Sequence, residues 1–378
     1  MTAGHPTTAI IDLEALLHNL GQLRRHLKGK SRILAVVKAN AYGHGAIPVA
    51  QALAASGVQA FGVAFVEEGI ALRQAGIGEP ILVMAGMVAE QAGAVAEHRL
   101  TPVLFHPDQL HWLADAVQNG RPPLPVHVKV DTGMGRLGLH PHEVVGFVRK
   151  LLGVKGLVLE GLMSHFADED LASTQVAQEQ IRLFSKVYEE LKGEGMAGLK
   201  LHMANSAAIL SLEAAWLSWV RPGITLYGYA PSRILEDVLP LKPVLTLKTR
   251  IASLRRVPAG TTISYGRTFT TRRESLIAVL PIGYADGFPR VLSNRGSALV
   301  RGRRAPVVGR VCMDMLMLDV TDIPDVIMGE EAVLLGRQGE EVISAVELAD
   351  QLSTIPYEIL CGIGSRVPRV YTGASKNP

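Results

Sequence analysis

Short apolar runs separated by amphipathic helical patterns dominate the first 235 residues of the chain. A first helical pattern, with leucines recurring from Leu13 to Leu27, precedes eight such runs. The runs are Ile33–Val37, Ala60–Phe65, Ile81–Ala85, Thr101–Phe105, Val126–Val130, Gly156–Met163, Lys200–Met203 and Leu217–Val220. Helical patterns such as Ile47–Ala55, Pro107–Val117 and Thr174–Leu191 lie between them. Eight strands alternating with helices predict an α/β fold, a parallel (β/α)8 TIM-like barrel.

The pattern changes between Pro231 and Pro243. Beyond it the apolar runs are short, β-rich and separated by Gly, Pro and Asp, and one helical pattern, Ser344–Leu352, interrupts them. We therefore predict a barrel domain over residues 1–235 and a mostly β C-terminal domain over residues 236–378. Packing of about the first ten residues with the C-terminal domain stays open. A doubly wound sheet is less favoured, because no GxGxxG follows an early strand.

Composition removes several classes of function. The chain has 378 residues, 48% of them hydrophobic, and a net charge of +3 without a basic cluster interleaved with aromatic residues, which argues against nucleic-acid binding. Cys312 and Cys361 form neither a disulfide framework nor a zinc pattern, so we expect no metal. No uncharged apolar run has the length of a membrane span, and the N-terminus lacks a signal-peptide pattern. We therefore expect a soluble, cytoplasmic protein.

A lysine ends the first predicted strand of the barrel. Lys38 stands in the string Ala-Val-Val-Lys-Ala-Asn-Ala-Tyr-Gly-His-Gly, which runs from Ala35 to Gly45. A lysine at the mouth of a buried strand is costly unless it is paired, neutral or covalently used, and a partly desolvated amine can form an imine with an aldehyde. For a lone lysine, a side chain that reaches out to solvent is the more common outcome.

The later predicted strands also end in polar residues. They are Lys129, Asp131 and Arg136 around the fifth strand, His165 after the sixth, Asn205 and Ser206 after the seventh, and Arg221 after the eighth. Because active sites of such barrels lie at the carboxyl ends of the strands, these side chains should share one rim. The loops after the last two strands offer the Ser206 hydroxyl and the amides of Gly223 and Ile224, which could hold a phosphate.

The string around Lys38 resembles the pyridoxal-phosphate lysine motif of the alanine racemases. The resemblance extends through the barrel motifs and reaches four motifs of the second domain: Ser264-Tyr-Gly266, Gly283-Tyr-Ala-Asp-Gly287, Gly309-Arg-Val-Cys-Met-Asp314 and Pro356-Tyr-Glu-Ile-Leu-Cys361. It implies a homodimer with shared active sites that interconverts L-alanine and D-alanine on a pyridoxal 5′-phosphate aldimine. The D-alanine would serve peptidoglycan synthesis or be degraded. A narrow preference for alanine is also implied.

The resemblance also implies roles for single residues. Lys38 would carry the cofactor and act as one catalytic base, and Tyr265 of the other subunit would act on the opposite face. The phosphate would be held by Tyr42, Ser206, Gly223, Ile224 and Tyr357, with Asn205 and His165 also in the cofactor site. Arg221 would face the pyridine nitrogen, and Arg136, positioned by Lys129, would bind the substrate carboxylate. Met313 and Tyr284 of the partner would line the substrate entrance, with Asp314 behind them.

Racemisation chemistry agrees with these roles. It removes a proton from one face and returns one to the other, so it needs two acid–base groups. Lysine and tyrosine are both protonated in water at neutral pH, so each needs neighbours that favour its basic form, such as charged His165 and Arg221 beside Tyr265. Two alternatives stay open at this point: an amino-acid decarboxylase of related fold, and a non-catalytic pyridoxal-phosphate carrier. A decarboxylase does not explain Arg221 or the motif Ser264-Tyr-Gly266, and a carrier leaves Tyr265 and Met313 without a role.

Overall fold

The computed structural model describes residues 6–117, 122–168 and 174–373. The chain forms two compact units. One contains residues 16–41 and 46–242, and the other contains residues 1–15, 42–45 and 243–378. The first strand of the chain, β1 (Thr8–Asp12), belongs to the second unit.

The first unit is a closed barrel of eight parallel strands, which confirms the predicted TIM-like barrel. The strands are β2 (Arg32–Val36), β3 (Ala60–Val63), β4 (Ile81–Val83), β5 (Thr101–Leu104), β6 (Leu124–Lys129), β7 (Leu157–Met163), β8 (Lys200–His202) and β9 (Trp219–Val220). The barrel closes where β9 pairs with β2, with Trp219 opposite Arg32 and Val220 opposite Ile33. Every predicted strand is present, although most end one or two residues earlier than the apolar run does.

Amphipathic helices cover the barrel strands. They are Ala46–Ala55, Val66–Gln74, Ala92–Glu97, Pro107–Ala116, Val144–Leu152, Thr174–Gly193 and Ser206–Ser211, with 3-10 turns at Ala89–Gln91, Pro141–Glu143, Glu213–Ala215, Ile224–Tyr227 and Arg233–Leu235. The six-residue helices Ala92–Glu97 and Ser206–Ser211 were not predicted, because they are too short to show a helical period. None of the helices in the described ranges is long and apolar enough to span a membrane.

The helix Leu13–Leu27 precedes the barrel strands, and Asp12 caps it by accepting the N–H of Ala15 at 3.0 Å. Its buried Asn19 bonds to the segment that follows the last barrel strand. The Asn19 amide donates to the carbonyls of Leu226 at 3.0 Å and Lys242 at 2.8 Å, and it accepts the Lys242 N–H at 2.8 Å. This side chain therefore satisfies three backbone groups that would otherwise be buried without partners.

The second unit is mostly β. Its main sheet has the order β16-β15-β18-β10-β1-β20, and β19 pairs with β18. The strands are β10 (Leu245–Arg250), β11 (Ser253–Val257), β12 (Thr262–Ile263), β13 (Phe269–Thr270), β14 (Ser275–Leu280), β15 (Ser297–Val300), β16 (Arg303–Pro306), β17 (Leu316–Asp319), β18 (Glu331–Gln338), β19 (Glu341–Ile343) and β20 (Arg369–Thr372). Strands β11, β14 and β17 form a second sheet, and β12 pairs with β13. The helices are Ala345–Leu352 and Pro356–Cys361, and 3-10 turns lie at Tyr265–Arg267, Tyr284–Asp286 and Arg290–Leu292.

The bonds of Asn19 predict a large loss of stability when they are removed. Asn19→Ala should lower the free energy of unfolding by about 2–4 kcal/mol, because the amide of Lys242 and two carbonyls lose their partner in the core. Arg25→Ala on the exposed face of the same helix should cost less than about 0.5 kcal/mol. Urea unfolding followed by circular dichroism measures both, and equal midpoints would contradict this role of Asn19.

Candidate active site

The polar residues predicted at the strand ends of the barrel lie on its carboxyl rim. Lys38 comes two residues after β2, and Lys129 is the last residue of β6. His165 comes two residues after β7, and Arg221 directly follows β9. Since all eight strands are parallel and form one closed barrel, these residues belong to the same end of it.

The chain turns into a left-handed conformation directly after Lys38. Ala39, Asn40, Ala41 and Tyr42 have φ values of 51, 53, 54 and 52°. Left-handed geometry costs an L-residue roughly 1–2 kcal/mol, so four such residues in succession require compensating bonds. The sequence analysis predicted a turn here from its small residues but not this conformation.

Within the barrel unit, Glu68 makes hydrogen bonds that offset the cost of this left-handed turn. Its carboxylate accepts the N–H groups of Ala39 at 2.6 Å, Ala64 at 2.7 Å and Phe65 at 3.2 Å. Asn40 adds a second bond, because its side-chain oxygen accepts the Ala46 N–H at 2.8 Å. Glu68 therefore ties the residue after Lys38 to the residues that follow β3, and it fixes the backbone from which Lys38 projects.

Arg221 is 3% exposed, and nearly all of its donors are satisfied. Nη1 donates to Nδ1 and to the carbonyl of His202, both at 2.8 Å. Nη2 donates to the carbonyls of Ser164 at 2.7 Å and Met203 at 2.9 Å, and His165 Nδ1 lies 3.2 Å from it. A guanidinium has five N–H groups. The Nε–H is the one donor of Arg221 without a hydrogen-bond partner among the described residues.

Positive charge accumulates at this rim. Burial lowers the pKa of His165 well below its usual value, and the charges of Arg221, Lys129, Arg136 and Lys38 act in the same direction. Burial and the same arginines lower the pKa of Lys129 to about 8. Burial lowers the pKa of Arg221 to about 9, so Arg221 remains charged at neutral pH. The rim thus presents cations around a neutral imidazole, an arrangement suited to anionic ligands.

Hydrogen bonds made by Asp131 close the loop that carries Arg136. The Asp131 carboxylate accepts the N–H groups of Gly133 and Gly135, each at 2.9 Å. The Asp131 N–H donates to the Leu139 carbonyl at 2.9 Å. Arg136 therefore sits in a short loop whose two ends are fixed directly after β6.

The residues after β8 and β9 form a small group of hydroxyls and amides. Asn205 caps the helix Ser206–Ser211 by accepting the Ala208 N–H at 3.0 Å. Ser206 Oγ accepts the Gly223 N–H at 2.9 Å and lies 3.1 Å from Thr225 Oγ1, so this predicted phosphate ligand already has partners within the barrel. Ile224 opens a 3-10 turn, and its N–H has no acceptor within that turn.

Tyr42 and Tyr357 lie together in the second unit. Their ring centroids are 5.8 Å apart, with the planes tilted by 48°. Burial raises the pKa of the Tyr42 phenol, and the nearby Tyr357 and Cys361 act in the same direction. The Tyr42 hydroxyl therefore stays protonated and can donate a hydrogen bond at any physiological pH.

Tyr265 is 72% exposed on a strained turn of the second unit. Ser264 before it has φ of 66°, and its hydroxyl donates to the Arg310 carbonyl at 2.7 Å. A Cβ on Gly309 would lie 2.7 Å from the Ile263 carbonyl oxygen, so only glycine permits this close approach. The motifs that contain Tyr265 and Gly309 are therefore packed against each other.

Tyr284, Met313 and Asp314 belong to the same region. The Tyr284 N–H donates to the Cys312 carbonyl at 3.0 Å, which joins their two motifs. Together with Tyr265, these side chains line an open groove of about 960 Å³ in the second unit. Arg366, which the sequence analysis did not select, binds Asp314 at 2.8 Å and lies 3.4 Å from the buried Asp286.

Other residues of the site were also missed. Glu68, His127, His202 and Glu160 bond to backbone groups or side chains at or beneath the rim. The available signal was polarity in an apolar context, since Glu160 interrupts the strand Leu157–Met163 and His127 interrupts Leu124–Lys129.

Comparison with known proteins gives a consistent result. The family models described as alanine racemase, N-terminal domain, and alanine racemase, C-terminal domain, match residues 11–231 and 244–371. An alanine racemase of Halothermothrix orenii is 48% identical over 366 residues, which cover 97% of each chain. The crystal structure of alanine racemase from Bacillus anthracis with bound L-Ala-P has a TM-score of 0.93 and 36% identity, covering 100% of this chain and 97% of that one. The alanine racemase from Bartonella henselae with covalently bound pyridoxal phosphate has a TM-score of 0.86 and 31% identity, covering 98% and 100%.

A barrel with a cationic carboxyl rim, joined in sequence to a β unit with an exposed tyrosine, defines an isomerase of the amino-acid racemase class. The chain belongs to the alanine racemase family. The resemblance found in the sequence is thereby confirmed, and the decarboxylase and carrier alternatives are set aside.

The bonds of Glu68 predict its contribution to the turn after Lys38. Glu68→Ala should lower the free energy of unfolding by about 2 kcal/mol, because a charged acceptor of three amides is lost. Its neighbour Glu67 is exposed and, among the described residues, accepts a hydrogen bond only from the Gln91 amide, so Glu67→Ala should change stability by less than about 0.5 kcal/mol. Chemical unfolding measures both variants. Unchanged stability in Glu68→Ala would show that other bonds hold the left-handed turn.

Proposed function

We propose that the chain interconverts L-alanine and D-alanine with pyridoxal 5′-phosphate bound at the carboxyl rim of its barrel. The observation that carries the proposal is the set of side chains at this rim: cations around one neutral imidazole, with a single guanidinium donor left over. The Bacillus anthracis and Bartonella henselae proteins, described with bound L-Ala-P and covalently bound pyridoxal phosphate, support it.

The barrel residues fit this cofactor by charge and by donor chemistry. Lys38, Lys129, Arg136 and Arg221 suit a ligand that brings a phosphate, a phenolic oxygen and a carboxylate, because buried cations are stable only when paired. The remaining Nε–H of Arg221 suits a ring nitrogen that only accepts a hydrogen bond. Lys38, whose amine can react with an aldehyde, would hold the cofactor's aldehyde carbon.

The phosphate group would be held by neutral donors. Ser206, Gly223 and Ile224 bring a hydroxyl and backbone amides after the last two barrel strands, and Tyr42 and Tyr357 bring two phenols. Such donors bind a phosphate dianion without a lysine. In this role the Gly223 N–H would exchange Ser206 Oγ for a phosphate oxygen. Asn205 acts indirectly, as the cap that fixes Ser206.

Two residues would transfer the α-proton of the substrate amino acid. Bound pyridoxal phosphate supplies the electron sink that makes the α-proton of an amino acid acidic. Lys38 takes or returns that proton on one face, and Tyr265 of the partner subunit does so on the other, because inversion needs a base on each side. Arg136, positioned by Lys129, holds the substrate carboxylate between them.

The neutral state of His165 changes one expectation about Tyr265. The sequence analysis assumed that His165 acts by its charge, whereas burial and four neighbouring cations lower its pKa and favour a neutral imidazole. Arg221 can only donate, and its Nη2 lies 3.2 Å from His165 Nδ1, so we infer that this nitrogen is unprotonated and that the imidazole carries its proton on Nε2. His165 therefore acts on the Tyr265 oxygen as a hydrogen-bond donor, which favours the phenolate.

We also propose that the active form is a homodimer with shared sites. Tyr265, Tyr284 and Met313 are 72, 42 and 52% exposed, and they line a groove whose size exceeds what a small amino acid needs. Exposed aromatic and methionine side chains that line one groove are typical of a surface that meets a partner. In the proposed dimer, Tyr284 and Met313 line the substrate entrance of the partner's barrel, and Asp314, held by Arg366, supports them.

The D-alanine would be used for peptidoglycan synthesis, or the same reaction would serve D-alanine degradation. We propose a cytoplasmic location, which agrees with the fact that Cys312 and Cys361 do not form a disulfide, since disulfides are rare there. The pocket is expected to prefer alanine, although a single methylene discriminates only about ten- to two-hundredfold.

The two-base roles predict that one substitution affects the two enantiomers to very different extents. In deuterium oxide, Tyr265→Phe should slow loss of the α-proton from L-alanine at least about a hundredfold and affect D-alanine much less, because Lys38 remains. Nuclear magnetic resonance measures both exchange rates, and chiral chromatography of the wild type measures full racemisation.

The matched control for Tyr265→Phe is Tyr188→Phe on a barrel helix, which should exchange both enantiomers at the wild-type rate. Lys38→Ala should no longer be labelled with the cofactor by borohydride. Equal loss of both exchange rates in Tyr265→Phe would contradict the opposite-face role, and a wild type that racemises neither enantiomer would contradict the proposed function.

Shared sites predict complementation between two inactive variants. When Lys38→Ala and Tyr265→Phe are mixed in equal amounts, half of the dimers should contain both chains, and one site of each should be intact. Activity should therefore return to about a quarter of the wild-type value. Each variant alone, refolded or diluted in the same way, is the control. No recovery after mass spectrometry has verified subunit exchange would rule out shared sites.

A further inference from the structure

A chain of hydrogen bonds, buried at its start and partly buried at its end, runs from Arg221 through two core histidines to Glu160. Arg221 Nη1 lies 2.8 Å from His202 Nδ1, and His202 Nε2 lies 2.7 Å from His127 Nδ1. His127 Nε2 then lies 3.2 Å from Glu160 Oε2, and Lys200 Nζ lies 2.5 Å from Glu160 Oε1. We call the chain Arg221, His202, His127 and Glu160, with Lys200 paired to its last member, the Arg221–Glu160 relay. The function proposed above uses only Arg221 from it.

The direction of this relay follows from the donors at its ends. Arg221 can only donate, so His202 Nδ1 must accept, and the His202 proton must be on Nε2. His127 Nδ1 must then accept from His202, which places its proton on Nε2 as well. That proton is donated to the Glu160 carboxylate, which can only accept. Each group therefore donates to the next, and both imidazoles are neutral.

Burial favours the same neutral state. The two histidines are 1% and 0% exposed, and burial is the largest cause that lowers the pKa of each. The bond from His127 and the contact with Lys200 lower the pKa of Glu160 to about 2, although partial burial acts against this. Glu160 is thus ionised at every physiological pH, and the relay ends on a fixed negative charge.

The backbone of the barrel is shaped around the relay. A Cβ on Gly161 would lie 2.5 Å from the His127 ring, so the strand β7 leaves room for the imidazole only because this residue is glycine. The pairing between β6 and β7 shifts register between Val126 and His127, which places His127 opposite Gly161. The side chains of Glu160 and Lys200 are 27% and 28% exposed, so the charged end of the relay reaches the barrel surface.

We propose that Glu160, acting through His127 and His202, is a positioning residue that fixes the orientation and polarity of Arg221 for the cofactor. The inference rests on the proposed function, since it concerns how Arg221 faces a bound pyridoxal phosphate. Hydrogen bonds that point the same way polarise one another, and a charged acceptor strengthens the bonds before it. The carboxylate therefore draws Nη1 of Arg221 toward His202 and leaves only the Nε–H for the cofactor.

Two substitutions of Glu160 separate the effect of its negative charge from the effect of its hydrogen-bond acceptor. Glu160→Gln keeps an oxygen that can accept from His127 but removes the negative charge, and Glu160→Leu removes the acceptor as well. The control is Glu213→Gln, because Glu213 also pairs with a lysine, Lys30, and has no hydrogen bond to an imidazole among the described residues. Circular dichroism and thermal unfolding identify correctly folded variants. If Glu160→Leu does not fold, Glu160→Gln decides the question.

Three measurements on the cofactor-loaded protein test the proposal. We expect kcat in both directions to fall about five- to twentyfold in Glu160→Gln, and further in Glu160→Leu, with KM for alanine within about twofold of wild type. The absorption maximum of the bound cofactor should shift in both variants and stay unchanged in Glu213→Gln. Nitrogen-15 shifts of labelled wild-type protein should show His127 and His202 as neutral imidazoles protonated on Nε2.

Each outcome decides a separate statement. Wild-type kcat and absorption in folded Glu160→Gln would overturn the positioning role, and so would equal changes in Glu213→Gln. A charged or Nδ1-protonated His127 or His202 would overturn the direction of the relay. A wild-type protein without racemase activity would instead overturn the proposed function, and the nitrogen shifts would still test the relay because they need no turnover.

Discussion

The guanidinium of Arg221 is a buried charge, and much of the barrel is arranged to satisfy it. Its acceptors are the Ser164 carbonyl directly after β7, the His202 and Met203 carbonyls at the end of β8 and directly after it, and His202 Nδ1, while His165 Nδ1 lies 3.2 Å from Nη2. Since a buried charge without such partners costs several kcal/mol, these three neighbouring strands must meet correctly for Arg221 to be tolerated. Closure of the barrel and the electrostatics of its rim therefore depend on the same bonds.

The excess of positive charge at the rim makes an anionic ligand part of the energetic balance of the fold. Burial is the largest cause that lowers the pKa values of Lys129 and His165, and the charges of the two arginines and Lys38 at the same rim act in the same direction. A ligand that binds only the folded state adds stability in proportion to the logarithm of its concentration, and here it would also relieve repulsion among fixed cations. The cofactor would thus contribute to holding the rim together as well as to its chemistry.

Periodicity was sufficient to predict the barrel, because its strands coincide with short, mostly apolar runs that alternate with helical patterns along the chain. It was less informative in the second unit. The β-rich runs recognised there were Val244–Arg250, Ser275–Leu280, Ser297–Val300, Ala305–Arg310, Met315–Val320 and Glu331–Leu335. They leave out β11, whose apolar pattern Arg255 and Arg256 interrupt, and the short β20, which begins with Arg369 and ends with Thr372. In the site, Lys38 and Arg221 were recognised from position and resemblance. The left-handed turn, Glu68 and Glu160 were not, because backbone conformation and pairing across strands leave no local pattern.

Gly161 shows that a residue of this protein can be intolerant of mutation even though it carries no reacting group. No reacting group lies on it, and nothing in the strand Leu157–Met163 distinguishes it from a glycine in any core. Yet a single methyl group there would occupy the space of the His127 ring. An engineering effort that randomises residues of the barrel interior to widen the substrate range therefore has to keep Gly161 unchanged. A choice of positions based on the substrate pocket alone would not protect it.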